Sequence, residues 1–123
     1  IAVLGITFKP NTDDMRESPS LIIVPELLKR AKKVKVYDPV GMNNAKQMTE
    51  FDGVIWTENT FSCIENTDAI VIITEWNEFR ALDLIKIKKS LNNPIIIDLR
   101  NIYKHDLMRE AGIKYISVGR GDS

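Results

Sequence analysis

The chain has 123 residues, in which 17 lysines and arginines balance 17 aspartates and glutamates. That length fits one domain able to bury a core without disulfide or metal support, and the zero net charge supplies no field for a nucleic-acid backbone or an anionic membrane. The single cysteine, Cys63, excludes an internal disulfide and suits a reducing compartment, so a cytoplasmic location is expected. No apolar run approaches the roughly 20 residues of a membrane span, and no basic start with an apolar centre marks a secretion signal. Ile1–Leu4 already reads as a buried strand, which points to a piece of a longer chain.

Short β-rich apolar runs alternate with helical stretches, the pattern of a parallel sheet covered on both faces. The first strand is expected over Ile1–Ile6. After a long polar loop, Leu21, Val24, Leu28 and Ala31 fall at helical spacing and predict a helix from Pro19 to about Ala31, with Ser18 as N-cap. Pro25 inside it has no N–H to give, so a kink or a loose first turn is expected. Strands follow at Val34–Tyr37 and Val54–Trp56, with a weaker helix at Met42–Thr49 between them. The remainder reads as helix Phe61–Glu65, strand Ala69–Thr74, helix Leu82–Leu91, strand Pro94–Leu99, helix Lys104–Ala111 ended by Gly112, and strand Tyr115–Val118. Right-handed crossovers and a reversal of strand order after the first half give a Rossmann-like, doubly wound parallel α/β sheet of about six strands, order 3-2-1-4-5-6, in three αβα layers.

In such a sheet the ligand crevice lies beyond the carboxyl ends of the strands beside the reversal. Three loops leave those ends: GITFKPNTDDMRESPS (Gly5–Ser20), TEWNEFR (Thr74–Arg80) and DLRN (Asp98–Asn101). The first spans about 13 residues between strand and helix, where two to six is usual, and long loops of this kind carry function more often than short ones. It is not a dinucleotide fingerprint, because Thr7 and Lys9 stand where further glycines would be needed, and it has no Walker ending. It carries two cations, Lys9 and Arg16, and three carboxylates, Asp13, Asp14 and Glu17. A solvated, self-paired loop is the plain alternative to a ligand loop. The acidic pair Asp13–Asp14 with Thr74 superficially fits the magnesium site of receiver domains. However, the pair lies past the strand tip, no aspartate closes the third strand and Arg100 replaces the needed lysine, so no metal site is expected.

The phrases GITFKPNTDDMRESPS, TEWNEFRALD and PIIIDLRNIY resemble the C-terminal, UDP-binding domain of the UDP-glucose/GDP-mannose dehydrogenase family over nearly the whole chain. The short link Ala31-Lys32-Lys33 lacks the glycine often found there. The resemblance implies a nucleotide-sugar-binding cap of an enzyme that also has an NAD-binding domain and a helical dimerisation segment, hence a homo-oligomer. Such enzymes oxidise the C6 alcohol of a nucleotide sugar twice with two NAD⁺, through a cysteine thiohemiacetal and thioester. The phrases lean toward UDP-glucose over UDP-N-acetyl sugars or GDP-mannose. A stand-alone nucleotide-binding module is the rival class.

By the same resemblance, Phe8, Lys9 and Arg100 are substrate contacts and Arg16 reaches toward NAD bound by the other domain. No catalytic residue is expected in this chain. Cys63, with no histidine or clustered cations beside it, reads as a small core residue. Arg16 could instead pair with Asp13 or Asp14, and Arg100 with Asp98. Trp76 is expected to shape its loop by packing, Asp14 and Glu17 to hold the first loop by hydrogen bonds, and His105 to lie at the surface. Lysines and arginines at positions 29–35 and 86–89 read as solvated faces without the interleaved aromatics of a nucleic-acid surface.

Overall fold

Successive side chains of a strand point to opposite faces, so a strand that is apolar throughout is buried only between two layers. In the computed structural model, which describes residues 1–118, this condition is met by the two central strands, β1 (Ala2–Leu4) and β4 (Ile70–Ile72), buried at every position. The other strands are β2 (Lys35–Tyr37), β3 (Ile55–Trp56), β5 (Ile95–Asp98) and β6 (Lys114–Ser117). All neighbours pair in parallel, in the order β3-β2-β1-β4-β5-β6. This is the order expected from the alternation of elements.

The period-two alternation splits the core into two layers. Leu4, Ile70, Ile72 and Ile96 face one side with Phe79, Ile87 and Met108, whereas Val3, Val36, Val71 and Ile73 face the other with Val24, Ala45 and Phe51. Helices α3 (Thr60–Ile64), α4 (Asn77–Arg80), α5 (Leu84–Ser90) and α6 (His105–Glu110) belong to the first layer. Helices α1 (Ser20–Arg30) and α2 (Met42–Ala45) and a 3₁₀ turn (Thr49–Phe51) belong to the second. Fully buried side chains such as Phe79 and Ile72 contribute about 1.5–3 kcal/mol each by leaving water.

Several elements differ from the sequence reading. α1 begins at Ser20, one residue later than expected, and continues through Pro25. Ser18 nevertheless does a cap's work, because its Oγ accepts from the Ser20 N–H at 3.2 Å. The segment expected as one helix over Met42–Thr49 is α2 followed by the separate 3₁₀ turn. α4, inside the loop after β4, was not legible in the sequence: four residues are too few for a helical period, and no side chain caps it. β1 stops at Leu4 rather than Ile6 because Gly5 turns to φ 81° and the Ile6 N–H bonds to a carboxylate instead of a strand. The last strand starts at Lys114, one residue early, and Gly112 ends α6 in the left-handed region at φ 76°.

Candidate functional site

The crevice at the reversal is floored by backbone that leaves β1 and β4 side by side. Gly5 is obligatory there. Besides its positive φ, a Cβ on it would meet the Thr74 Cβ, N and O at 2.7, 2.9 and 2.9 Å. Two residues on, Thr7 is fully buried and receives the Thr74 hydroxyl on its carbonyl at 2.6 Å, which fastens the loop after β1 to the end of β4. The Ser18 and Ser20 hydroxyls both donate to the Ile6 carbonyl at 2.6 Å, so the start of α1 is fixed to the same turn. The residue that gathers most of these groups is Asp38, at the end of β2 and fully buried. Its Oδ2 accepts from Ile6 N at 2.8 Å and Trp76 Nε1 at 3.2 Å, and its Oδ1 accepts from Gly41 N at 2.7 Å and Val40 N at 2.9 Å.

Beyond this floor the chain carries the side chains singled out in the sequence. Phe8 is 40% exposed, an unusual position for a large aromatic ring, yet its backbone is held at both ends. Its N–H donates to the Asp14 carbonyl at 2.8 Å, and its carbonyl accepts from Arg100 Nη2 at 3.2 Å. Lys9 is exposed, and its ammonium has no salt bridge among the described residues. Met15 anchors the far side of the loop in the second core layer, and Asn11 and Glu17 turn the chain at φ 64° and 60°. The length of the loop is therefore used in folding it back on itself.

The two arginines take different places. Arg16 pairs with Asp14 and not with Asp13: Nε and Nη2 each lie 3.1 Å from an Asp14 oxygen, and the Arg16 N–H reaches Oδ1 at 2.9 Å. Those hydrogen bonds hold the Asp14 carboxyl below its ordinary value and push the Arg16 guanidinium up. Arg100 does not form the alternative ion pair with Asp98. Asp98 accepts instead from the backbone N–H groups of Arg100 at 2.8 Å and Ile102 at 2.7 Å and from the Tyr115 hydroxyl at 2.6 Å. The Arg100 side chain is thereby directed across the sheet, where Nε donates to the Ile73 carbonyl at 2.8 Å, 4.0 Å from Glu75 Oε1. It bridges the ends of β4 and β5 to Phe8, so Phe8, Lys9 and Arg100 share one rim, and Arg16 is joined to them only through Asp14.

The remaining candidates are scaffolding. Trp76 is buried and hydrogen-bonded to Asp38. Cys63 is buried in the same core layer as Trp76, where desolvation pushes its thiol up to about 11, a poor nucleophile at neutral pH. His105 is half-buried rather than simply at the surface, with Nε2 2.9 Å from the Ser117 hydroxyl and its ring against Tyr115. The Tyr103 hydroxyl, raised by burial, donates to the Phe79 carbonyl. Among the described residues no group of three or more histidine, cysteine, aspartate or glutamate side chains is placed to hold a metal ion. A dinucleotide does not fit the turn after β1, because the Ile6 and Thr7 N–H groups that would meet a pyrophosphate already face Asp38 at 2.8 and 3.3 Å.

Asp38 escaped the sequence reading, and Thr7 and Thr74 entered it only as departures from other motifs, not as parts of this floor. The available signal was an aspartate closing the second strand, the position at which dinucleotide-binding sheets place an acid.

Fold and crevice together define a doubly wound α/β domain whose switch-point crevice is edged by side chains rather than by a glycine-rich turn. Residues 2–105 match the UDP-binding domain of the UDP-glucose/GDP-mannose dehydrogenase family, and the chain belongs to that family. It is 48% identical over 122 residues to a UDP-glucose 6-dehydrogenase of Rhizobium meliloti, covering 99% of this chain and 28% of that protein. The UDP-glucose 6-dehydrogenase TuaD of Bacillus subtilis is 40% identical, with 98% and 26% covered. Among solved structures, a UDP-D-ManNAc dehydrogenase from Pyrococcus horikoshii superposes with a TM-score of 0.78 at 35% identity, over 99% of this chain and 26% of that one. A UDP-glucose dehydrogenase from Pyrobaculum islandicum gives 0.73 at 33%, over 93% and 24%. The chain thus spans about a quarter of the length of these relatives.

Proposed function

We propose that residues 1–123 are the nucleotide-sugar-binding C-terminal cap of an NAD-dependent UDP-glucose 6-dehydrogenase, which oxidises UDP-glucose to UDP-glucuronate with two NAD⁺. The observation that carries this reading is the 48% identity to the Rhizobium enzyme over 99% of the chain. The rim of Phe8, Lys9 and Arg100 supports it, since an exposed ring offers a stacking face and the two cations suit a diphosphate and sugar hydroxyls. In this reading those three residues bind and orient the nucleotide sugar, and Arg16 reaches toward NAD held by another domain. NAD⁺ would supply the hydride acceptor for both oxidations. The cysteine nucleophile lies outside this chain, because the Cys63 thiol is buried and raised. A homo-oligomer belongs to the same reading.

The test compares the isolated domain with the full-length protein. With UDP-glucose and NAD⁺, the domain alone produces no NADH and the full-length enzyme does, with kcat/KM far higher for UDP-glucose than for GDP-mannose or UDP-N-acetyl sugars. Turnover by the isolated domain would overturn the cap assignment. A preference for a UDP-N-acetyl sugar would move the substrate toward that in the name of the Pyrococcus horikoshii relative.

A further inference from the structure

In dinucleotide-binding sheets the turn after the first strand gives its N–H groups to a pyrophosphate, and an acid at the end of the second strand faces a ribose. Both parts are present here, but they have closed on each other. Asp38 ends β2 and is fully buried, and its Oδ2 lies 2.8 Å from Ile6 N and 3.3 Å from Thr7 N. A carboxylate of the protein thus stands where a phosphate stands in that class of sheet. We propose that Asp38 is the positioning residue of the nucleotide-sugar site. It acts as an internal anion that saturates the turn after β1, sets the backbone from which Phe8 and Lys9 project, and leaves the ligand's diphosphate to side-chain cations.

Three features of the geometry carry this. First, the groups around the two oxygens donate to them: Val40 and Gly41 N–H on Oδ1, and Ile6 N–H, the Trp76 indole and the Thr7 N–H and hydroxyl on Oδ2. An amide in place of the carboxylate would turn its NH₂ against donors in either orientation. Second, the donors come from the loop after β1, the turn after β2 and the loop after β4, so one side chain fixes the relative placement of three segments of the crevice wall. Third, the turn is packed without slack, since a Cβ on Gly41 would meet Thr7 Cγ2 at 2.4 Å. The chain leaves this clamp directly into Phe8 and Lys9, so a shift of Thr7 displaces both side chains.

The ligand in this inference rests on the proposed function. The test uses the full-length enzyme with Asp38→Asn and, separately, Trp76→Phe, which removes one donor and keeps an aromatic ring. UDP binding is measured by calorimetry beside KM for UDP-glucose, KM for NAD⁺ and the thermal midpoint. Asp38→Asn is expected to weaken UDP and raise KM for UDP-glucose about tenfold or more, with KM for NAD⁺ within about twofold, and Trp76→Phe to shift the same quantities about threefold. A folded Asp38→Asn enzyme with unchanged UDP affinity, or with both KM values raised alike, overturns the proposal. Should Asp38→Asn fail to fold, unchanged UDP affinity in Trp76→Phe overturns it equally. If the wild-type enzyme itself does not bind UDP, the nucleotide-sugar reading falls and takes this role with it; wild-type binding with unaltered variants removes only the role of Asp38.

Discussion

Arg100 and Arg16 leave loops on the same side of the sheet with the same guanidinium, yet they are built into the molecule in opposite ways. The Arg16 side chain is 89% exposed and bonded to a carboxylate two residues away, whereas the Arg100 side chain is 30% exposed and bonded to carbonyls 27 and 92 residues away. A local pair at the surface costs side-chain entropy and is screened by water, so it adds little to stability. A charged fork spending its donors on backbone carbonyls from two other segments holds those segments together. Position in a loop therefore says less about a cation than the sequence distance of its partners.

Breaking Arg100 should give the largest effect. Arg100→Ala removes the bonds to Ile73 and Phe8 and is expected to cost about 1.5–3 kcal/mol of stability, toward the lower end because the side chain is partly exposed. In the full-length enzyme kcat/KM for UDP-glucose should also fall about tenfold or more, since the Phe8 backbone is released. Arg100→Lys should restore little of either, because an ammonium cannot span two carbonyls as a fork does. A thermal midpoint and kcat/KM on both variants decide the matter, and a stable Arg100→Ala enzyme would show that the latch does not hold the loop. An exposed-loop view of Arg100 predicts loss of activity alone, and the bonds to two carbonyls are the reason for expecting a stability cost as well.

Lys9 sharpens the contrast, being on the same rim without any latch. Lys9→Ala should lower kcat/KM about tenfold through the lost charge-assisted contact while stability stays within about 0.5 kcal/mol. Unaltered kinetics in a folded variant would remove Lys9 from the site.

Arg16 should give a smaller and different effect. Arg16→Ala is expected to raise KM for NAD⁺, leave KM for UDP-glucose unchanged and leave the thermal midpoint where it was. Acid probes the same clip. Because the folded Asp14 carboxyl lies below its ordinary value of 3.8, the clip's contribution is present above that value and is lost as pH falls through the lower folded one. Chemical shifts of the Arg16 Nε–H across an acid titration would follow it, and a transition above pH 3.8 would contradict the pairing.

The smallest effect is expected at Cys63. With a thiol pushed up to about 11 and buried in the core, the native protein should leave this cysteine unmodified by iodoacetamide at neutral pH, and denaturation should expose it. Peptide mapping by mass spectrometry reads this directly, and rapid native labelling would reopen the question of its role.

What the sequence determined by itself was the architecture. Uninterrupted apolar runs such as those at Leu4 and Ile72 have no stable place except a central strand covered on both faces, and their alternation with helical spacing leaves few ways to order the sheet. The same local logic put Phe8, Lys9, Arg16 and Arg100 on loops beyond the strand ends, and the motifs that carry the family are contiguous phrases legible without coordinates. Tertiary structure alone decided what those residues hold. Asp38 meets partners 32 and 38 residues away, and Arg100 meets Phe8 across 92. The direction of a side chain at a strand end is set by which neighbours the sheet brings beside it. A carboxylate or guanidinium in low dielectric takes the donors or acceptors it finds there, however far along the chain they lie.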